Sequence, residues 1–114
     1  MTTAVVAPAF APNDHVNPGL LVRPDRRIQA FWSGHNGDRI YTALSLRPGD
    51  ASAFGRPVGL PVSIGQQRYT YPSPYYLPGD GGRYLLFFRG GHTWPAYTTS
   101  RDGLRWTRTS WQEV

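Results

Sequence analysis

Two side chains suited to proton transfer, His15 and Tyr71, occupy corresponding places in the sequence. A shift of the chain by 56 positions places His15 over Tyr71, and each lies three residues before a proline, Pro18 or Pro74. Proline is tolerated at the first residues of a strand, so both side chains are expected at a strand entry. Histidine and tyrosine both serve enzymes as general acids and bases, so the pair is a candidate for proton transfer.

Arg89 and His35 are further candidates by residue type. The guanidinium fork of Arg89 matches a carboxylate bidentately, which suits an acidic ligand. His35 is a second histidine able to transfer a proton near neutral pH.

Each of these residues also has a plainer structural interpretation. Tyr71 stands in a Tyr-Thr-Tyr-Pro string that is typical of packing, and His35 stands in a Gly-His-Asn-Gly turn. Arg89 follows two phenylalanines and is suited to cap a strand. If the chain binds a glycan without cleaving it, the expected substrate-binding residues are Trp32, Trp94 and Asn17, because indole rings stack on sugar faces.

Charge and composition narrow the class of partner and reaction. The net charge of +5 comes from arginines that are spread along the chain, which favours an acidic polysaccharide over nucleic acid. Glycosidases need two carboxyl groups, whereas five of the seven acidic residues adjoin glycine or proline and are typical of turns. Three separated histidines and no cysteine predict no metal site, and no cofactor motif is present.

The shift of 56 positions reveals an internal repeat. It aligns six anchor pairs in order: Pro18 with Pro74, Phe31 with Phe87, Trp32 with Phe88, Gly34 with Gly90, Tyr41 with Tyr97 and Thr42 with Thr98. With 11 prolines and 13 glycines, the chain is cut into short segments typical of strands. Repeated units of four antiparallel strands are typical of β-propeller blades. A β-sandwich whose halves are similar by chance is the alternative.

The repeat predicts an all-β fold of two four-stranded blades. Residues 1–12 form an N-terminal segment or an outer strand, residues 13–64 the first blade and residues 65–114 the second. In the first blade we predict strands at 19–22, 27–33, 39–46 and 57–64, with a loop over 47–54. In the second we predict strands at 74–77, 83–89, 96–100 and 107–114. The apolar runs 28–32 and 84–88 suggest strands that are buried on both faces.

The second unit ends in a motif with a known local geometry. The string Ser100-Arg101-Asp102-Gly103-Leu104-Arg105-Trp106-Thr107 resembles the Asp-box of the bacterial neuraminidase repeat, with one residue fewer between aspartate and glycine. In such a hairpin the aspartate accepts hydrogen bonds from turn N–H groups and the glycine takes a positive φ. The tryptophan packs over the sheet. These residues are therefore expected to be structural.

Three further strings extend the resemblance to a family. They are Asn-Asp-His-Val-Asn-Pro from residue 13, Phe-Trp-Ser-Gly-His from residue 31 and Tyr-Thr-Tyr-Pro-Ser-Pro from residue 69, the last followed by Phe-Phe-Arg-Gly-Gly. Together they resemble the BNR-4 family of sialidase-like propellers, which includes ulvan lyases. The resemblance implies that His15, His35, Tyr71 and Arg89 match the two histidines, the tyrosine and the arginine that act in those lyases, which cleave at a uronate by β-elimination. That reaction needs a base for the C5 proton, an acid for the leaving oxygen and a cation for the carboxylate. The resemblance thus implies Arg89 at the carboxylate, Tyr71 and His15 as base and acid in either order, and His35 to orient or assist them. Family enzymes have more blades than the two predicted here.

Two blades would leave apolar faces and an open sheet edge, which drive association. We therefore expect either self-association, for example as a ring of several copies, or membership in a longer propeller. The N-terminal residues lack a basic lead-in and carry two prolines among 2–12, so no signal peptide or membrane anchor is predicted. As it stands the chain would be cytoplasmic, and it would be secreted if it is a piece of a longer parent.

Overall fold

The chain folds into two antiparallel β-sheets. The computed structural model describes residues 18–33, 39–60, 70–89 and 95–107, and no α-helix occurs among them. The predicted all-β class is confirmed for this part of the chain. The predicted N-terminal segment of residues 1–12 lies outside the described residues.

The first sheet is an antiparallel meander that widens at its outer side. Strands β1 (Gly19–Val22), β2 (Ile28–Trp32) and β3 (Tyr41–Arg47) pair in that order. The far side of β3 pairs with two short strands, β4 (Asp50–Phe54) and β5 (Val58–Gly59). β2 lies between β1 and β3 and is mostly buried, as its apolar sequence predicted.

The prediction of a loop over 47–54 was wrong. A two-residue turn at Pro48 and Gly49 reverses the chain directly into β4. Proline fixes a negative φ and Gly49 has φ 67°, which is the combination that a type II turn requires. The strand was missed because its middle residues, Ala-Ser-Ala, are exposed and have low strand propensity. The outer strand predicted at 57–64 is present only as β5, and residues 61–64 lie outside the described part.

The second sheet contains three described strands in the order β6 (Thr70–Leu77), β7 (Arg83–Arg89) and β8 (Pro95–Ser100). β7 has the predicted bounds, whereas β6 starts four residues before the predicted 74–77. β6 tolerates Pro72 and Pro74 because it lies at the edge of this sheet, where a missing N–H donor breaks no ladder. A single turn of 3₁₀-helix, Gly79–Gly81, joins β6 to β7.

The core lies between the two sheets. Along β7 the side chains of Tyr84, Leu86 and Phe88 are buried, while the residues between them are half-buried. The three buried residues form one cluster with Phe31 and Trp106. The prediction that both apolar runs are buried on both faces therefore holds for β2 and is wrong for β7, which alternates. Leu85, Phe87 and Arg89 lie on the opposite face of β7 and are only half-buried.

The repeat preserves the strand order but not a single register. Phe31 in β2 pairs with Gly19 on one side and Thr42 on the other. A uniform shift of 56 positions would pair Phe87 with Tyr75 and Thr98. Instead Phe87 pairs with Ser73 and Tyr97. β2 and β7 correspond at the 56-residue shift. The strands paired with β7 are displaced by one or two residues from the positions that this shift predicts, because turns and bulges fix the register of each hairpin separately.

Candidate functional site

Tyr71 and Arg89 meet at one end of the second sheet. β6 and β7 are antiparallel and Thr70 is the register partner of Arg89, so the start of β6 lies beside the end of β7. The Arg89 Cζ atom lies 4.8 Å from the centre of the Tyr71 ring, which is within the range of a cation–π contact. Tyr71 is 46% exposed. The contact therefore places a cation against an aromatic surface that solvent reaches.

The backbone at Tyr71 has an unusual conformation. Its φ is 56°, a left-handed value that is uncommon for a residue with a bulky side chain. The β6–β7 register shifts between Thr70 and Ser73, so Tyr71 lies in a β-bulge. Bulges often re-aim a side chain near functional sites. Here the bulge directs the phenol to the arginine at the end of the neighbouring strand.

The arrangement is suited to binding an anion more than to metal chemistry. A guanidinium group beside an aromatic ring can still direct N–H groups at a planar anion such as a carboxylate. The tyrosine offers a hydroxyl that can donate or accept a hydrogen bond. In the part of the chain that the structure describes, no group of three His, Cys, Asp or Glu side chains is close enough to bind a metal.

Of the other predicted site residues, Trp32 is the one that the structure describes. His15, Asn17, His35 and Trp94 lie outside the described residues. Trp32 is 6% exposed and belongs to a separate buried cluster with Ala30 and Ala43. Its ring stacks on that of Tyr41, with centroids 6.1 Å apart. Its indole face is thus occupied by protein, as expected for a packing residue.

The hairpin after β8 has the local geometry that its motif implied. The Asp102 Oδ1 atom accepts hydrogen bonds from the Leu104 and Arg105 N–H groups, each at 2.8 Å, and Gly103 has φ 76°. The Trp106 side chain is buried and meets the Phe31 ring edge-to-face at 5.6 Å. These contacts belong to the architecture, and the predicted structural role of this hairpin is confirmed.

Hydrogen bonding also sets the charge of the hairpin carboxylate. The Arg105 and Leu104 N–H groups are the main causes of a lowered pKa of Asp102. Burial opposes them, and the Ser100 hydroxyl and the Arg105 charge lower the pKa further by smaller amounts. Hydrogen bonds to the ionised form favour it. Asp102 therefore stays ionised throughout the neutral range.

A polar link between the sheets was not predicted. Gln29 is fully buried in β2, and its Nε2 atom donates to the carbonyl of Gly103 at 2.8 Å. Arg23 donates to the Gln29 Oε1 atom at 2.9 Å and to the Asp102 carbonyl at 3.0 Å. The Arg23 guanidinium also lies over the ring of Tyr84, 5.0 Å from its centre. The sequence feature that could have indicated this link is a glutamine inside an otherwise apolar strand, since a buried amide must find hydrogen-bond partners.

Two open clefts accompany these features. One, of about 320 Å³, lies beside β3 and the Gly55-Arg56 corner. The other, of about 590 Å³, is lined by Arg83, Thr99, Ser100, Arg101, Asp102, Arg105 and Thr107. Its three arginines were not singled out in the sequence because they are separated along the chain.

Comparison with protein-family models, with curated proteins and with solved structures finds no match to this chain. The BNR-4 resemblance therefore stays a prediction that rests on the motif residues. Among the described residues, no helix has the length and apolar character needed to cross a membrane.

Proposed function

We propose that the chain is a pair of neighbouring blades of a BNR-repeat, sialidase-like propeller and that it binds an acidic polysaccharide. Two meanders with the same strand order, packed face to face, support the blade assignment. The hairpin at Asp102 supports it further, because its contacts are those of an Asp-box. The observation that carries the binding function is the contact between Arg89 and the exposed Tyr71 ring.

The chemistry of that contact favours a uronate. A sugar ring has apolar C–H faces that pack on an aromatic side chain. The carboxylate on the same ring would then receive the N–H groups of Arg89, in a charge-assisted bidentate pair. A neutral sugar could use only the first of these contacts. The predicted selectivity is therefore for polysaccharides that carry carboxylates.

The test is calorimetric titration with polygalacturonate oligosaccharides and with neutral oligosaccharides of equal length. We expect Arg89→Gln to weaken uronate binding by about tenfold or more, since a hydrogen-bonded charge is lost. Arg47→Gln is the matched control, because it removes the same charge from an exposed strand end of the other sheet. Equal binding of both sugar classes, or equal loss in both variants, would contradict the proposal.

A second candidate function, uronate β-elimination, is supported by the contact of the Tyr71 ring with Arg89, because tyrosine also carries a hydroxyl that can transfer a proton. In this reaction a base takes the C5 proton and the C4–O bond breaks. A C4=C5 double bond forms, and the leaving oxygen is protonated. Tyr71 is proposed as the base or the acid, with His15 as its partner and His35 assisting.

Tyr71→Phe separates the two candidates, because it keeps the ring beside Arg89 and removes only the hydroxyl. Elimination generates an unsaturated uronate that absorbs ultraviolet light. We expect wild-type protein to produce this signal and Tyr71→Phe to lose it while still binding. If wild-type protein binds uronate without any such product, the function is binding alone.

We also propose that the outer face of the second sheet docks a second copy of the chain. Tyr75 is 52% exposed there and meets Phe87 at 5.8 Å, and Phe87 meets Tyr97 at 6.0 Å. The residue that the repeat aligns with Phe87 is Phe31, which is fully buried against the other sheet. The face of the first sheet that carries Phe31 is therefore covered by the second sheet. The corresponding face of the second sheet, which carries Phe87, is covered by neither sheet in the part of the chain that the structure describes.

Light scattering on a sizing column tests the association. We expect a discrete oligomer for the wild-type chain and a smaller mass for Phe87→Asp, with Leu46→Asp as a control at an exposed leucine of the first sheet. A wild-type monomer, or the same mass for all three proteins, would refute the docking.

A further inference from the structure

We propose that the cleft beside β3 binds a small amphiphilic carboxylate, a molecule with an aliphatic body and one carboxylate head. The cleft has a volume of about 320 Å³, which is near the lower end of the range for small-molecule sites in proteins. Its walls come from β2, β3, β5, the corner at Gly55 and the hairpin after β8. The proposal does not depend on Tyr71 and Arg89, because neither of them lines the cleft.

The pairing of the strands places the cleft on the inner face of the first sheet. Gln29 pairs with Leu44, and Thr42 pairs with Phe31 on one side and with Val58 on the other. Paired residues share a face of the sheet, and so do residues two apart along a strand. All five therefore lie on the face that packs against the second sheet through Phe31. The cleft borders the contact between the two sheets.

Aliphatic side chains supply much of the wall. Leu46 is 57% exposed, Val58 is 58% exposed and Leu104 is 54% exposed, and Leu44 beside them is half-buried. A single leucine exposed on a surface is ordinary, whereas several around one concave site are typical of a place that binds an apolar group. Because Leu104 belongs to the hairpin after β8, an apolar ligand would contact both sheets at once.

The neutral polar side chains of the cleft already have partners inside the protein. The Gln29 amide makes three hydrogen bonds within the link between the sheets. The Thr42 hydroxyl donates to the Ala30 carbonyl, and the Ser45 hydroxyl donates to the Arg47 carbonyl, each at 2.9 Å. Both hydroxyl protons are therefore engaged, and a ligand rich in hydroxyl groups, such as a sugar, gains few bonds here. An apolar ligand body suits these walls better.

Two guanidinium groups give the cleft a positive charge. Arg27 and Arg56 line it, and the described lining contains no acidic residue. Neither guanidinium has a hydrogen bond or an ion pair within the part of the chain that the structure describes. Asp25 accepts from the backbone N–H of Arg27 at 3.0 Å and forms its ion pair with Arg23 at 3.4 Å. Arg27 is half-buried, so a ligand carboxylate would supply a partner to a partly desolvated cation.

A carboxylate head on an aliphatic body matches both parts of the cleft. The planar carboxylate accepts parallel N–H bonds from a guanidinium group, and the aliphatic body removes the exposed leucine and valine side chains from water. The small volume of the cleft favours one short molecule over a polymer. This ligand class is therefore distinct from the acidic polysaccharide proposed for Tyr71 and Arg89.

The experiment titrates octanoate, octan-1-ol and acetate into the full chain while leucine and valine methyl signals are followed by NMR. Octan-1-ol lacks the charge and acetate lacks the tail, so we expect octanoate to bind about tenfold more tightly than either, or better. The shifts should concentrate at Leu46, Val58 and Leu104. Leu20 and Leu77 are exposed outside the cleft and serve as internal controls. Absence of octanoate binding, equal affinity for octan-1-ol or acetate, or equal shifts at the controls would overturn the proposal.

A pair of double variants tests the two cations. Arg27→Gln with Arg56→Gln should weaken octanoate binding by about tenfold or more. Arg26→Gln with Arg47→Gln is the matched control, because it removes the same charge from exposed positions outside the cleft, and it should bind like wild type. Equal weakening in both would overturn the proposal, because it would reflect net charge alone. Arg89→Gln should leave octanoate binding unchanged, so failure of this site and failure of the uronate site are separate results.

Discussion

Replacing Gln29 by leucine removes the polar link between the sheets while keeping a side chain of similar size. The Gln29 Nε2 atom donates to Thr42 Oγ1 at 2.9 Å and to the Gly103 carbonyl at 2.8 Å. Its Oε1 atom accepts from Arg23 at 2.9 Å. A neutral hydrogen bond contributes about 1 kcal/mol net and one to a charged group about 1.5–3 kcal/mol.

Some partners keep other contacts, which limits the loss. The Gly103 carbonyl still accepts from Trp106 Nε1 at 3.0 Å, and Arg23 still donates to the Asp102 carbonyl. The leucine also gains apolar burial. We therefore expect Gln29→Leu to lower the free energy of unfolding by about 2–4 kcal/mol, a large part of the total stability of a domain this size.

Urea unfolding followed by tryptophan fluorescence measures this loss. A double-mutant cycle with Arg23→Met isolates the Gln29–Arg23 term, for which we expect a coupling energy of about 1 kcal/mol or more. A loss below about 0.5 kcal/mol at unchanged m-value, or a coupling near zero, would refute the argument that the buried amide fastens the two sheets.

Other consequences of the structure can be measured in the same assay. A Cβ atom on Gly19 would clash with the Pro72 carbonyl and lie 2.6 Å from Pro74 Cδ. Gly19→Ala should therefore lower the free energy of unfolding by about 1–3 kcal/mol. Gly79→Ala is the control and should be nearly neutral, because a Cβ atom there meets nothing within 4 Å. Asp102→Ala should lower stability by about 1–2 kcal/mol through the lost turn hydrogen bonds, and Asp102→Asn, which keeps an acceptor oxygen, should lose less. Because the folded-state pKa of Asp102 is lowered, its ionised form stabilises the fold above the ordinary value of 3.8. The advantage of wild type over Asp102→Asn should therefore shrink as the pH falls below 3.8 toward the folded-state pKa, and an advantage independent of pH would contradict this.

Structural features that depend on residues close together in the chain could be predicted from the sequence. The Asp102 hairpin follows from a glycine, an aspartate and a tryptophan within a few positions, and the hydrogen bonds that shape its turn are short-range in the chain. β1 and β7 were predicted with their observed bounds because apolar runs are framed by turn residues. β4 was missed because an exposed edge strand needs little apolar pattern.

Features that depend on the register between paired strands could not be predicted from the sequence. Tyr71 and Arg89 were predicted to belong to one site, but their direct contact depends on the β6–β7 pairing and on the bulge between Thr70 and Ser73. The arginines of the second cleft were interpreted as dispersed, because Arg83 and Arg101 are far apart in the chain. Only the fold of the second sheet brings them to one surface.

The hydrogen bonds of Arg23 and Gln29 to the Asp102 hairpin carry a consequence for how the chain folds. They join residues 79 and 74 positions apart, so the link between the sheets closes a loop that spans most of the protein. Loop closure of this length costs entropy before the contact forms, and all-β chains with such distant contacts fold in milliseconds to seconds. The hairpin would therefore reach its final place late, after both sheets exist. Until then the apolar face of each sheet stays open to solvent, which is the period when the chain is most prone to aggregation.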